Sequence, residues 1–249
     1  MRILFTGTSS AIPSAGNGYT SIIISAGGSL VMVDTGDNPV RALLGAGEDP
    51  LRLAAVVLTH GHVDHLGAFP ALLSSLDCMK RIAPLEVIAG PETAEQARRL
   101  MELFDQGSGK LCFEVRHRSA WECGGATIEL RPGSHPVPTR MVVVREGAAC
   151  LLYTADCRYE PGLAARNADG CGVMVHEATY PQSRLPADTG HSSARQAALA
   201  AREAGVKRLF LCHMDPMAWR GEDPGREAGA EFSGEVVVPK PNAWYEVTR

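Results

Sequence analysis

Nothing in this chain constrains its fold as tightly as Thr59-His60-Gly61-His62-Val63-Asp64-His65, which follows the apolar run Ala54-Ala55-Val56-Val57-Leu58 without a break. Five consecutive apolar residues ended by polar ones read as a strand covered on both faces, as in a parallel sheet packed between other layers. Three imidazoles and a carboxylate within six positions are ligand types that divalent ions such as zinc accept. A solvated polar loop is the alternative, but it gives no reason for four ligands packed so closely. Apolar residues at helical spacing continue from Leu66 to Leu76, so the ligands lie between a strand and a helix. Open α/β sheets place their sites at such carboxyl strand ends. The fold must therefore bury this strand on both faces and keep its end open.

Further strands are expected at residues 2–6, 19–25 and 30–34, the last two joined by the hairpin signal Ala26-Gly27-Gly28-Ser29. Asp34-Thr35-Gly36-Asp37-Asn38-Pro39 reads as a turn before a short helix at 40–44. A strand at 85–89 precedes a helix opened by Pro91 and running to about Phe104. Strands at 111–115, 127–130, 141–145, 150–154 and 173–176 follow, with a tight hairpin at Glu146-Gly147-Ala148. An Ala-rich helix spans 192–204 with Gly205 as its stop, then come strands at 208–212 and 244–247. Two mixed sheets packed face to face, with helices outside, would bury these strands in one α/β domain over residues 1–249.

Composition limits the function classes. The formal net charge of -4 argues against a large nucleic-acid footprint, which normally shows as a basic face. The short clusters Lys80-Arg81, Arg98-Arg99 and Arg116-His117-Arg118 read as solvated surface. Seven cysteines at irregular spacings, with no Cys-x-x-Cys pair, point to free thiols in a reducing compartment. The apolar run at the start is too short for a signal peptide, and no run approaches bilayer length. A cytoplasmic protein without membrane contact is the expectation.

Three more polar groups end apolar strands as the first cluster does. His213 follows Leu209-Phe210-Leu211-Cys212, Asp156 follows Leu151-Leu152-Tyr153-Thr154-Ala155, and His135 ends Arg131-Pro132-Gly133-Ser134 after another strand. Each alone would pass for a capping or solvated residue. Three repeats of one pattern point to convergence on one rim.

His-x-His-x-Asp-His after an apolar strand, then a lone His, a lone Asp and a final His, resembles the metallo-β-lactamase fold superfamily. His176-Glu177-Ala178-Thr179 and Gly190-His191-Ser192-Ser193-Ala194 look like two motifs of its ribonuclease Z-like phosphodiesterases, as do Phe5-Thr6-Gly7-Thr8 and Pro13-Ser14. That resemblance implies an αββα sandwich and a dinuclear centre. His60, His62 and His135 would hold one ion, Asp64, His65 and His213 the other, and Asp156 would bridge them. Zinc is favoured by the ligand set, with manganese the alternative. The implied catalytic groups are Asp64, assisting the attacking water, His191, protonating the leaving oxygen, and Glu177, which orients and charges His191. Dimerisation is also implied.

The substrate is read from departures. Ribonuclease Z proper carries an arm for tRNA, inserted in bacterial members between the lone His and the bridging Asp. Here His135 and Asp156 are separated only by a hairpin. The group's Gly-Asp-Thr stands as Ala155-Asp156-Cys157, and its His-Phe-Ser as His213-Met214-Asp215. Arm-less relatives act on cyclic nucleotides or other small phosphodiesters, so a small phosphodiester is the expected substrate, without extended RNA binding. The alternatives are ribonuclease Z-type cleavage of tRNA 3′ ends, or lactone, thioester or β-lactam hydrolysis on the same fold.

Overall fold

The first sheet takes β1 (Arg2–Ser9), β2 (Gly18–Tyr19), β3 (Ser21–Ala26), β4 (Ser29–Val33), β5 (Leu53–Leu58), β6 (Leu85–Ala89) and β7 (Val115–Arg118). The second takes β8 (Ala120–Cys123), β9 (Ala126–Pro132), β10 (Arg140–Glu146), β11 (Ala149–Tyr153), β12 (Val173–Glu177), β13 (Arg208–Cys212) and β14 (Glu235–Val237). The final strand, β15 (Trp244–Glu246), returns to the first sheet beside β1. Helices α1 (Pro39–Gly45), α2 (Val63–Leu66), α3 (Phe69–Cys78) and α4 (Pro91–Leu103) accompany the first sheet. Helices α5 (Leu163–Ala168), α6 (Ala194–Ala204) and α7 (Pro224–Gly229) accompany the second. This computed structural model describes residues 1–248.

Side-chain alternation builds the layers. In β5, Ala55 and Val57 face the space between the sheets with Val142, Val175 and Phe210, while Val56 and Leu58 face Leu72, Leu73 and Ala97 on the helix side. All four β5 residues are buried, so the unbroken apolar run is explained by a strand with two covered faces. Burying each Val or Leu contributes about 1.5–3 kcal/mol. The second sheet repeats the device: Val142, Val144, Leu151 and Val175 point inward, and Leu152, Met174 and Leu209 point toward α6. The five buried residues of α6 are all alanines, so the helix itself brings nothing longer than a methyl to the sheet, which permits close packing. Ser193 and Gln196 form a capping box at its start, and Gly205, at φ +66°, ends it in the left-handed region that glycine adopts without strain.

β4 to β7 run parallel in the first sheet, and β11 to β14 run parallel in the second. Parallel neighbours bring their carboxyl ends to one rim. This αββα sandwich matches the fold class expected from the sequence.

Local expectations fail in three places. Arg81, expected on the solvated surface, is buried at 3% exposure because its guanidinium donates to the Leu51, Ala83 and Pro84 carbonyls. Residues 111–115 do not form a strand: the Cys112 N–H donates to Asp77 Oδ1 at 2.6 Å, pinning the segment to the end of α3, and pairing with β6 begins only at Val115. The cysteines are not all free thiols either. Cys150 on β11 and Cys171, just before β12, pair as a disulfide, because parallel strand pairing brings together residues 21 positions apart. No spacing rule marks such a pair in the sequence.

Candidate metal centre

Strand ends deliver the site. Asp34 follows β4, Thr59 and His60 follow β5, Asp156 lies three residues beyond β11, Glu177 ends β12 and His213 follows β13. Three of these turns use left-handed backbone at non-glycine residues: Asp34 (φ +59°), Ala155 (φ +53°) and His213 (φ +56°). That conformation costs about 1–2 kcal/mol per residue and is retained where the surroundings dictate it. Ala155 stands where the resembled family has glycine, so the backbone demand persists although the residue has changed. His62 is the N-cap of α2, a single turn that carries Asp64 and His65 into the cluster.

Every ligand expected from the sequence arrives at this rim. His60 Nε2 and His135 Nε2 each lie 3.2 Å from His62 Nδ1. Asp156 Oδ2 is 3.6 Å from His60 Nε2, and Asp156 Oδ1 is 3.3 Å from both His65 Nε2 and His213 Nε2. Asp64 Oδ2 lies 3.5 Å from His65 Nε2 and 3.3 Å from His213 Nε2. The donors fall into the groups His60–His62–His135 and Asp64–His65–His213, with one oxygen of Asp156 facing each, and a third, overlapping group joins Asp156, His191 and His213. Ligands about 2.1 Å from a tetrahedral ion lie about 3.4 Å apart, which is the spacing found here. Moreover, His65 Nε2 and Asp156 Oδ1 are buried without a hydrogen-bond partner, and both face this space. Such orphans are costly unless a cation satisfies them. The cluster is able to hold metal ions.

Electrostatics agree. Burial, then the neighbouring His65, push the pKa of His60 down to about 2, and burial also lowers that of His135, so these rings are neutral and their lone pairs free. Burial opposes ionisation of Asp64, yet its hydrogen bond to His213 and the nearby His65 hold its pKa at about 2. Asp156 is likewise kept ionised against burial by His213 and His65. His65 differs: against its burial, the carboxylates of Asp156 and Asp34 raise its pKa well above the ordinary value, so it would give up a proton on binding a divalent ion.

The outward-facing nitrogens are also occupied. His65 Nδ1 bonds Asp34 Oδ2 at 2.8 Å, and His135 Nδ1 bonds the Gly190 carbonyl at 2.9 Å. Thr59 Oγ1 donates to Asp34 Oδ2 at 2.8 Å; its one proton is thus spent, so His60 Nδ1–H donates to it at 3.0 Å. On the other sheet, Thr179 Oγ1 donates to Glu177 Oε2 at 2.6 Å and accepts from His213 Nδ1–H at 3.0 Å. Such partners fix the tautomer and aim of a metal-binding imidazole. Asp34, Thr59 and Thr179 escaped the sequence reading, although Asp34 shows the same signal as Asp156, a carboxylate closing an apolar strand.

His191 differs from the ligands. Its Nδ1 lies 2.9 Å from Glu177 Oε1 and 3.9 Å from Asp156 Oδ2, and its side chain keeps 22% exposure. Burial disfavours its charge, but the hydrogen bond and charge of Glu177 outweigh that and raise its pKa to about 9. His191 lines an open cleft of about 390 Å³ whose floor includes Asp64, Asp156 and His213. His176 is buried, with Nδ1 donating to the Glu177 carbonyl, and His117 is exposed on β7.

An αββα sandwich with a metal-competent His/Asp cluster at its strand ends defines a metal-dependent hydrolase. A β-lactamase superfamily domain matches residues 22–214. The chain belongs to the metallo-β-lactamase superfamily, within its ribonuclease Z-like group. It is 30% identical to a protein named ribonuclease Z from Mycobacterium marinum, over 96% of this chain and 95% of that one. That alignment runs to 273 positions against the chain's 249 residues, so the relative has residues that this chain lacks. A metallo-β-lactamase fold protein of Bacillus subtilis superposes with a TM-score of 0.84 at 22% identity, covering 98% of both chains. The short form of human tRNase Z superposes at 0.81 with 20% identity over the full length of both. Among the described residues, no helix is long and apolar enough to cross a membrane.

Proposed function

We propose that the chain is a phosphodiesterase with a dinuclear centre of ribonuclease Z type. The observation that carries the reading is the Glu177–His191 pair at 2.9 Å, set beside the metal cluster and open to the cleft. Two divalent ions, zinc by ligand preference, would be held by His60, His62 and His135, by Asp64, His65 and His213, and by Asp156 between them. Bound there, they would supply a water of lowered pKa and positive charge for the phosphate oxygens. Asp64, ionised and facing the cleft, accepts a proton from the attacking water. His191, charged through Glu177, donates a proton to the leaving oxygen.

Ribonuclease Z-type cleavage of an RNA 3′ end is the substrate reading that the relatives' name supports. A compact phosphodiester is the second reading, supported by the connection between His135 and Asp156. There β10 and β11 join through Gly147 and Ala148 alone, leaving no room for an inserted arm. The test compares a precursor tRNA with a 3′ trailer, bis(p-nitrophenyl) phosphate, nitrocefin and a thioester. Turnover of either phosphodiester supports the reading. Turnover of nitrocefin or the thioester with both phosphodiesters inert overturns it.

A further inference from the structure

Ile12 and Val63 are large apolar side chains left in the open, at 43% and 75% exposure, and both line the cleft above the metal cluster. Exposed apolar residues scattered singly need no explanation. These two border one concavity together with Tyr180, whose ring centroid lies 6.3 Å from that of His191. The loop carrying Ile12 is held in place, since Ser10 N–H donates to the Met214 carbonyl at 3.0 Å, and Val63 opens α2 between two candidate ligands. Charge points the same way. Among the described residues, no lysine or arginine lines this cleft, whereas Asp215 does. Proteins that track a nucleic-acid backbone place cations along it. A second phosphate at this mouth would meet the Asp215 carboxylate and neither a lysine nor an arginine.

We propose that Ile12, Val63 and Tyr180 form an apolar seat for a single aromatic group, a nucleobase or aryl ring on the ester arm that stays on phosphorus, and that binding stops at that one unit. This rests on the phosphodiesterase reading and takes the compact diester over the RNA 3′ end as its substrate. A ring packed against aliphatic and aromatic side chains gains area burial and stacking, which lack the steep salt dependence of counterion release at phosphates. Specificity is then read beside the scissile phosphate and not along a chain of phosphates. The cleft, at about 390 Å³, falls within the usual range for small-ligand sites.

Bis(p-nitrophenyl) phosphate and methyl p-nitrophenyl phosphate share a leaving group and differ in the group that stays on phosphorus. Their ratio of kcat/KM, compared between wild type and variant, therefore isolates recognition of that second group. Ile12→Ser, Val63→Ser and Tyr180→Ala are each expected to lower this aryl-to-methyl ratio about five- to tenfold through KM. Metal content, measured alongside, is expected to stay at the wild-type value. Val63 is largely exposed, so Val63→Ser tests the idea without a folding penalty. The logarithm of KM for the aryl diester is expected to change little with the logarithm of salt concentration. Ratios equal to wild type in all three variants would overturn the proposal while leaving the phosphodiesterase reading intact. So would tight binding of an RNA 3′ end with a log–log salt slope steeper than about -2. If wild type cleaves neither diester nor RNA, the phosphodiesterase reading itself fails.

Discussion

Asp34, from the first sheet, and Glu177, from the second, are both fully buried, and each reaches one histidine directly and another through a threonine. Asp34 holds His65 and, through Thr59, His60; Glu177 holds His191 and, through Thr179, His213. The difference lies in the directly held ring. His65 is completely enclosed, and its far nitrogen faces the cluster, whereas His191 is partly open and faces the cleft. A carboxylate behind an enclosed imidazole aims a ligand. The same carboxylate behind an open one keeps a proton available for transfer. On the proposed function, burial of the partner ring would separate two uses of one motif.

Metal removal tests whether the comparison concerns a metal site at all, and it carries the largest expected effect. Dialysis against a chelator should abolish hydrolysis, and added zinc or manganese should restore it. Calorimetry should show a lower melting temperature for the stripped protein; saturation at 100 times Kd contributes about 2.7 kcal/mol. Full activity with less than one equivalent of transition metal would end the metal-site reading.

His191→Ala and His65→Ala then separate the two rings. Loss of a general acid costs about 10²- to 10⁴-fold in rate, so His191→Ala should lose that much in kcat while its metal content is unchanged. His65→Ala should lose metal. His191 Nδ1 also lies near Asp156, so a fall in metal content of the His191 variant would make it a ligand and dissolve the contrast.

The carboxylates themselves come next. Asp34→Asn should weaken metal affinity by about 10- to 100-fold, read by chelator competition. Glu177→Gln should leave affinity for the His60 group unchanged and alter the pH profile. Glu177 raises the pKa of His191 above its ordinary value, so the acid stays protonated toward higher pH. Removing that charge lowers the pKa, and the basic limb of kcat should move to lower pH. An unmoved limb would deny His191 the role of acid.

How much of this was legible beforehand follows from where each signal lies. His60 to His65 is local in sequence, and the strand-end pattern of His135, Asp156 and His213 recurs three times, so seven ligands could be proposed without coordinates. The αββα layers followed from strands such as β5 whose two faces are both apolar. Asp34 was hidden by its neighbours: Asp34-Thr35-Gly36-Asp37-Asn38-Pro39 reads as a turn, and its left-handed φ of +59° agrees, yet its side chain points into the core. Thr59 and Thr179 were invisible because a hydroxyl's role depends on which two groups flank it in space. The Cys150–Cys171 contact and the pinning of Cys112 by Asp77 are likewise products of packing between separate segments.

The smallest expected effects come from the threonines, and they sharpen the comparison most. Thr59→Val and Thr179→Val keep side-chain volume but remove the hydroxyl that joins carboxylate to imidazole. Each leaves a buried His Nδ1–H without an acceptor, at a cost of about 1–3 kcal/mol. Melting temperature should fall in both, and metal affinity should weaken less than in Asp34→Asn, because the rings remain and only their aim is loosened. Neither should displace the basic limb of the pH profile. Glu177 also accepts from the Cys157 and Thr179 backbone N–H groups at 3.0 and 3.2 Å, so it stays in place for His191 when the hydroxyl is gone. Thr179→Val should therefore weaken metal binding through His213 yet leave the basic limb where wild type has it. A limb displaced as in Glu177→Gln would mean that the hydroxyl positions the carboxylate for His191, and the ligand and acid branches of Glu177 would then be one unit.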